Sequence, residues 1–133
     1  MIAEFFPHYD LKELYIVPKK YNGMALEGLV AQHIQAWNAY GNTKHLIAFW
    51  RTKSGLEVDF VIYGKLGFWA IEVKNSKRIH NNHLRSLKAF LNDYPMAKAI
   101  LLYRGQEKIV HDNIARLPCT NFLLDLKPNQ SPI

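Results

Sequence analysis

The stretch Leu56–Lys74, "LEVDFVIYGKLGFWAIEVK", decides how this chain is read. Two apolar runs rich in β-branched and aromatic residues flank Gly64, Lys65, Leu66 and Gly67, so the spacing predicts a β-hairpin. Side chains alternate along a strand, which puts Val58, Phe60 and Ile62 on one face and Glu57, Asp59, Val61 and Tyr63 on the other. In the returning strand Trp69, Ile71 and Val73 oppose Phe68, Ala70, Glu72 and Lys74. A connection centred between Lys65 and Leu66 pairs residues whose numbers sum to 131, so Asp59 faces Glu72 and Glu57 faces Lys74.

Glu57 opposite Lys74 reads as an ordinary cross-strand ion pair. Asp59 opposite Glu72 does not, because like charges directly opposite destabilise a sheet and burial raises the cost. Two carboxylates whose Cβ atoms lie about 5 Å apart can converge on one hard divalent cation. Mg²⁺ in particular is held by one or two carboxylates with waters and substrate phosphates. Lys74, two residues beyond Glu72, points to the same place and can bind a phosphate or orient a water. The alternative is a solvated strand end with a charge cluster, or a pair in which one carboxyl keeps its proton.

Working outward, "MALEGLVAQHIQAWNAYGN" carries Leu26, Leu29, Val30, Ile34 and Trp37 at helical spacing, with Asn22 placed to cap its start and Gly41 to end it. "HLIAFWRT" is a strand and "KSG" a turn, which with the hairpin makes a three-strand meander. "NNHLRSLKAFLNDYP" repeats the helical period through Leu84, Leu87, Leu91 and Tyr94 and stops before Pro95. "AKAILLY" is a continuous apolar run suited to a strand buried on both faces, which implies helices covering the sheet. The remainder through "FLLDL" is read as one more short strand or helical turn, and "KPNQSPI" as a frayed end. The order is α-β-β-β-α-β, an α/β fold in which the second helix is a crossover.

A length of 133 residues suits a single domain with a real core, and 49% hydrophobic against 21% charged residues argues against disorder. No apolar run is long enough to span a bilayer and no secretory leader is visible, so a cytoplasmic protein without membrane contact is expected. Cys119 is the only cysteine, which excludes an internal disulfide and a multi-cysteine zinc site. The net charge is +6, and between Glu72 and Asp93 no acid interrupts Lys74, Lys77, Arg78, Arg85 and Lys88, with His80 and His83 beside them. Such a face suits a polyanion, or is simply a solvated helix surface. Trp37, Trp50 and Trp69 each fall on the apolar period of their element and are expected in the core.

"EVDFVI" followed by "AIEVK" resembles the D…ExK core of the PD-(D/E)xK, or restriction-endonuclease-like, nuclease superfamily, and "GMALEGLVAQHI" resembles its first helix with a recurring glutamate, here Glu27. More narrowly, "FWRTKSGLEVDFVI", "IEVKNSKRI" and "LKAFLNDYP" together resemble the C-terminal nuclease-like domain that follows the ATPase module in a group of prokaryotic AAA-type ATPases. The resemblance covers roughly residues 23 to 126. It implies one nuclease-like domain over 1–133, with an N-terminal extension at 1–22 and a tail at 127–133, built on a mixed central sheet flanked by helices.

The resemblance also implies that Asp59 and Glu72 hold Mg²⁺ or Mn²⁺, that Lys74 is catalytic, and that Glu27 reaches the site. Val58 stands where the motif has proline, and no G-x-x-x-x-G-K-[ST] is present, so the ATPase half of that architecture is not in this chain. The expectation is a Mg²⁺-dependent nuclease cutting phosphodiester bonds in DNA. Arg51, Lys53, Lys77, Arg78, Arg85 and Lys88 would be its phosphate contacts, and a homodimer its arrangement for cutting both strands. The competing expectation is a non-catalytic nucleic-acid-binding or regulatory module of the same fold, acting with a separately encoded ATPase.

Overall fold

Alternation and helical period both turn into elements where the sequence places them. The computed structural model describes residues 14–16 and 25–133. Strand β1 (Leu14–Ile16) precedes helix α1 (Ala25–Tyr40), and β2 (Leu46–Arg51), β3 (Glu57–Gly64) and β4 (Gly67–Val73) form the meander. A 3₁₀ turn (Asn81–Leu84) leads into α2 (Arg85–Asp93), then β5 (Lys98–Tyr103), the pair β6 (Ile109–His111) and β7 (Ile114–Pro118), and α3 (Cys119–Asp125). Among the described residues, seven strands make one mixed sheet in the order β1-β2-β3-β4-β5-β7-β6. The meander is antiparallel, β4, β5 and β7 run parallel, and β6 returns antiparallel on the outer edge.

Each helix covers one face. α2 contributes Leu87 and Phe90, with Leu84 and Tyr94 from its flanks, to a core that includes Trp50, Val58, Val61, Ala70 and Leu101. On the opposite face α1 sets Val30, Ile34 and Trp37 against Phe60, Ile62, Ile71, Ile100 and Leu102. β5 is buried on both sides from Ala99 to Tyr103, as its unbroken apolar run requires. Trp37, Trp50 and Trp69 are all core residues.

Several expectations are corrected. Leu29, assigned to the inner stripe of α1, is 43% exposed. The inner stripe instead runs Glu27, Val30, Ala31, Ile34 and Trp37, a geometry that hydropathy could not show because one of its members is an acid. The region after β5 holds two strands and a helix rather than one element. Asp112 and Asn113, both at positive φ, make the tight β6–β7 turn that a propensity reading passes over. The extension expected at 1–22 contributes β1 to the sheet edge, pairing Leu14 with Trp50 and Ile16 with Ala48. The tail is docked rather than frayed: the Trp37 indole N–H donates to the Gln130 carbonyl at 2.9 Å, the Asn129 side chain accepts from the Asn42 N–H at 2.6 Å, and Pro132 is buried. The cap expected at Asn22 lies outside the described residues.

The hairpin register is the predicted one, from Gly64 paired with Gly67 to Phe60 paired with Ile71. The face assignment is not. On the β2 side Ala48 pairs with Val61 and Trp50 with Val58, so Phe49 alone opposes both Asp59 and Phe60. This is a β-bulge, and it shifts the alternation by one residue. Val58 consequently packs on the α2 face with Val61, whereas Phe60 and Ile62 pack on the α1 face.

Candidate functional site

The bulge falls where the β3–β4 ladder stops. Beyond Phe60 and Ile71 the two strands are joined by their own carboxylates: Asp59 Oδ2 accepts the Val73 N–H at 2.9 Å, and Glu72 Oε1 accepts the Asp59 N–H at 3.2 Å. Both acids are buried, Asp59 9% and Glu72 4% exposed. Glu27 of α1 is also buried. Together with Gly55, Glu57, Val73, Lys74 and Ser86 these three acids line a cleft of about 230 Å³. It takes Glu27 from the helix on one face of the sheet and Ser86 from the helix on the other. The site therefore sits at the end of the sheet, between the layers, and not on one strand face as alternation alone suggested.

Electrostatics sharpen the arrangement. Burial, the hydrogen bond to the Asp59 carboxyl and its charge push the Glu72 carboxyl well above the usual carboxylate range. The Lys74 ammonium and the Asp59 backbone N–H pull it the other way. Lys74 Nζ lies 3.7 Å from Glu72 Oε2 and its side chain is 35% exposed, so a cation faces both the acidic pair and solvent. Its backbone N–H extends the parallel ladder to the Leu102 carbonyl at 2.9 Å, which fixes where the side chain starts. The ion pair expected between Glu57 and Lys74 does not form. Glu57 is held instead by Arg51, whose Nη2 is 2.6 Å and whose Nε is 2.8 Å from Glu57 Oε1, because the β2–β3 ladder sets these two residues side by side.

The predicted residues thus divide into two groups. Glu27, Asp59, Glu72 and Lys74 come together. Arg51, Lys53, Lys77, Arg78, Arg85 and Lys88 are all exposed, and none of them lines the cleft. Arg51 is further engaged over the Phe49 ring at 5.4 Å. His83 lies close enough to Lys74 for that charge to add to burial in lowering its imidazole pKa, and its Nδ1 accepts the His80 N–H at 3.1 Å. Ser86 is the lining residue that the sequence reading missed. Its Oγ accepts the Glu57 N–H at 3.3 Å, and a lone serine early in a helix carries no signal of such a position.

Among the described residues no group of three or more histidine, cysteine or acid side chains forms a ready-made metal cage. The acidic pair nevertheless suits Mg²⁺, which needs only one or two protein carboxylates where water and phosphate complete its shell. The one cysteine, Cys119, is buried and its thiol is pushed up by that burial, which suits a core residue and not a nucleophile. No helix among the described residues is long and apolar enough to cross a membrane. Residues 22–122 match the family described as Domain of unknown function (DUF4143). No curated protein and no solved structure matches the chain.

Proposed function

We propose that this chain, which belongs to the DUF4143 family, is a divalent-metal-dependent nuclease that hydrolyses phosphodiester bonds in DNA, with its reaction centre in the acidic cleft. One observation carries the reading: two buried carboxylates are bound to each other's strands beside a half-exposed lysine. Burying two acids together costs several kcal/mol unless their charge is balanced; Lys74 balances it only in part, since the Glu72 carboxyl stays pushed up, and a divalent cation would balance the pair. The mixed sheet flanked by helices, with the acids at the end of its central hairpin, supports assignment to the restriction-endonuclease-like fold.

Asp59 and Glu72 would hold Mg²⁺ or Mn²⁺, which when bound polarises a phosphate and lowers the pKa of a water. The protein's own groups account for the rest. The two backbone N–H donors fix each carboxylate's orientation, so the ligands are positioned before any ion arrives. Lys74 presents three N–H donors where charge builds on the phosphate oxygens in the transition state. Glu27, across the cleft, accepts a hydrogen bond from the attacking water. Lys77, Arg78, Arg85 and Lys88 hold the strand by its phosphates without reading its sequence.

Lys74→Met tests this reading in three measurements. The variant should melt within about 3 °C of wild type, since a partly exposed ion pair contributes at most about 1 kcal/mol. It should bind DNA in Ca²⁺ and lose at least about a hundredfold in cleavage rate in Mg²⁺. Cleavage at the wild-type rate overturns the role of Lys74. If wild type turns over no DNA form but still binds DNA, the domain is a binding or regulatory module, and a separately encoded ATPase is the partner to seek.

A further inference from the structure

A second cleft, of about 370 Å³, opens beside the acidic one. The parallel strands β4, β5 and β7 end level with one another, Val73 against Leu102 and Tyr103 against Pro118. The acidic cleft lies at the end of β4, and the second cleft at the ends of β5 and β7. Neighbouring residues in the first turn of α1 divide them, Glu27 lining the first and Leu26 the second. Ligands of open α/β sheets bind at this end of the strands.

The two linings are chemically opposite. Among the described residues, the acidic cleft is lined by four carboxylates and Lys74. Among them the second is lined by no carboxylate: Arg104 is the charge it presents, Gln106, Thr120 and Asn121 supply amide and hydroxyl groups, and Leu26 an apolar wall. It is also built firmly. The Tyr103 hydroxyl donates to the Glu107 carbonyl at 2.7 Å, closing the loop that carries Arg104 and Gln106. Gly105 lies so close to the Tyr103 ring that an added Cβ would come within 2.1 Å of it. Arg104 is tied back to the acidic cleft's own loop, its N–H donating to the Ser76 carbonyl at 2.9 Å and its Nη1 to Asn75 Oδ1 at 3.3 Å. Among the described residues the guanidinium makes that one hydrogen bond, which leaves donors for an anion, since Arg carries five.

We infer that this second cleft takes the nucleoside next to the cleaved phosphate, in unpaired form. Arg104 contacts the adjoining phosphate, while Gln106, Thr120 and Asn121 contact the sugar and base. The inference rests on reading the acidic cleft as a nuclease centre. A cleft near the lower end of small-ligand pocket sizes holds one nucleoside and no base pair, and amide side chains suit the exposed edges of an unstacked base. The strand then runs from a centre that repels phosphate until a cation is bound to a neighbouring cleft that attracts it.

The test uses anisotropy of a short fluorescein-labelled single strand and of the matching blunt duplex, in Ca²⁺ across a salt series. The Gln106→Ala/Asn121→Ala double variant leaves the net charge unchanged, and both residues are exposed, so it should fold as wild type. It should weaken single-strand binding by about fivefold or more, with an unchanged salt slope and unchanged duplex binding. Arg104→Gln should reduce the single-strand log-log salt slope by about 0.7. If wild type binds the strand and the double variant binds it equally well, the second cleft is not a nucleoside site, and the nuclease reading stands. Equal losses on strand and duplex also overturn it, because the contact would then not require an unpaired base. If wild type binds neither probe, the inference falls with the reading beneath it.

Discussion

Replacing Asp59 by asparagine should stabilise the metal-free protein. The carboxamide oxygen can keep the bond to the Val73 N–H, now 2.9 Å, and the new NH₂ gives Glu72 a donor in place of a like charge. The two carboxyls lie within hydrogen-bond reach of each other, so as two charges they would repel by several kcal/mol even at an effective dielectric of about 20. Most of that repulsion is avoided, because the raised pKa of Glu72 lets the pair shed one charge by keeping a proton.

A gain of about 1–2 kcal/mol near pH 8 follows, or roughly 3–8 °C in melting temperature. The sign with pH is determined by Glu72. A carboxyl whose folded pKa lies above its unfolded value of about 4.3 contributes stability that is full below that value and is lost as pH rises through the folded one. Metal-free wild type should therefore weaken from about pH 5 upward, while Asp59→Asn stays flatter, so the two converge in acid. Mg²⁺ at a hundred times its Kd should then add about 2.7 kcal/mol to wild type and little to the variant. Differential scanning fluorimetry with EDTA and with Mg²⁺ measures all of this. A variant that is less stable than wild type at about pH 8 without metal, or that gains as much from Mg²⁺, refutes the compensation reasoning.

Two other perturbations have definite outcomes. Arg78→Ala should lower the log-log salt slope of duplex binding by about 0.9, and an unchanged slope and affinity remove Arg78 from the interface. Gly64→Ala would place a methyl group 2.5 Å from Cδ2 of His45, whose ring packs beside Trp37 and whose Nε2 accepts the Leu66 N–H at 3.2 Å. It should cost about 1–3 kcal/mol by overpacking, read by urea denaturation, and a neutral result would mean that the hairpin turn can move away from His45.

The hairpin register was legible because Gly64 and Gly67 leave the connection one centre, and pairing depends on that centre alone. The face of each residue was not, because alternation assumes an unbroken ladder with every neighbour and the bulge is made against β2. The same break hid the geometry of the acids, which meet by clasping each other's strands. Glu57 was assigned the wrong cation for a related reason: the hairpin offers Lys74, the other flank of β3 offers Arg51, and only the sheet shows which is bonded. Glu27 entered through the family resemblance, since its burial on an apolar helix stripe runs against hydropathy. The β6–β7 hairpin escaped notice because its turn relies on Asp112 and Asn113 at positive φ, and β6 is three exposed residues long. Ser86 and the second cleft depend on which loops the parallel strands align, which no local pattern encodes.

The bulge at Asp59 and Phe60 also bears on how such a chain can change over time. A single extra residue holds β3 in one frame against β2 up to Val58 and in another from Val61. Deleting it would restore an unbroken ladder and put Val58 into step with the rest of the strand, at the cost of moving Asp59 away from Glu72. Selection for a sturdier sheet and selection for the acidic pair therefore act in opposite directions on this one codon. A lineage released from the need for the pair would have a one-step route to a more regular sheet.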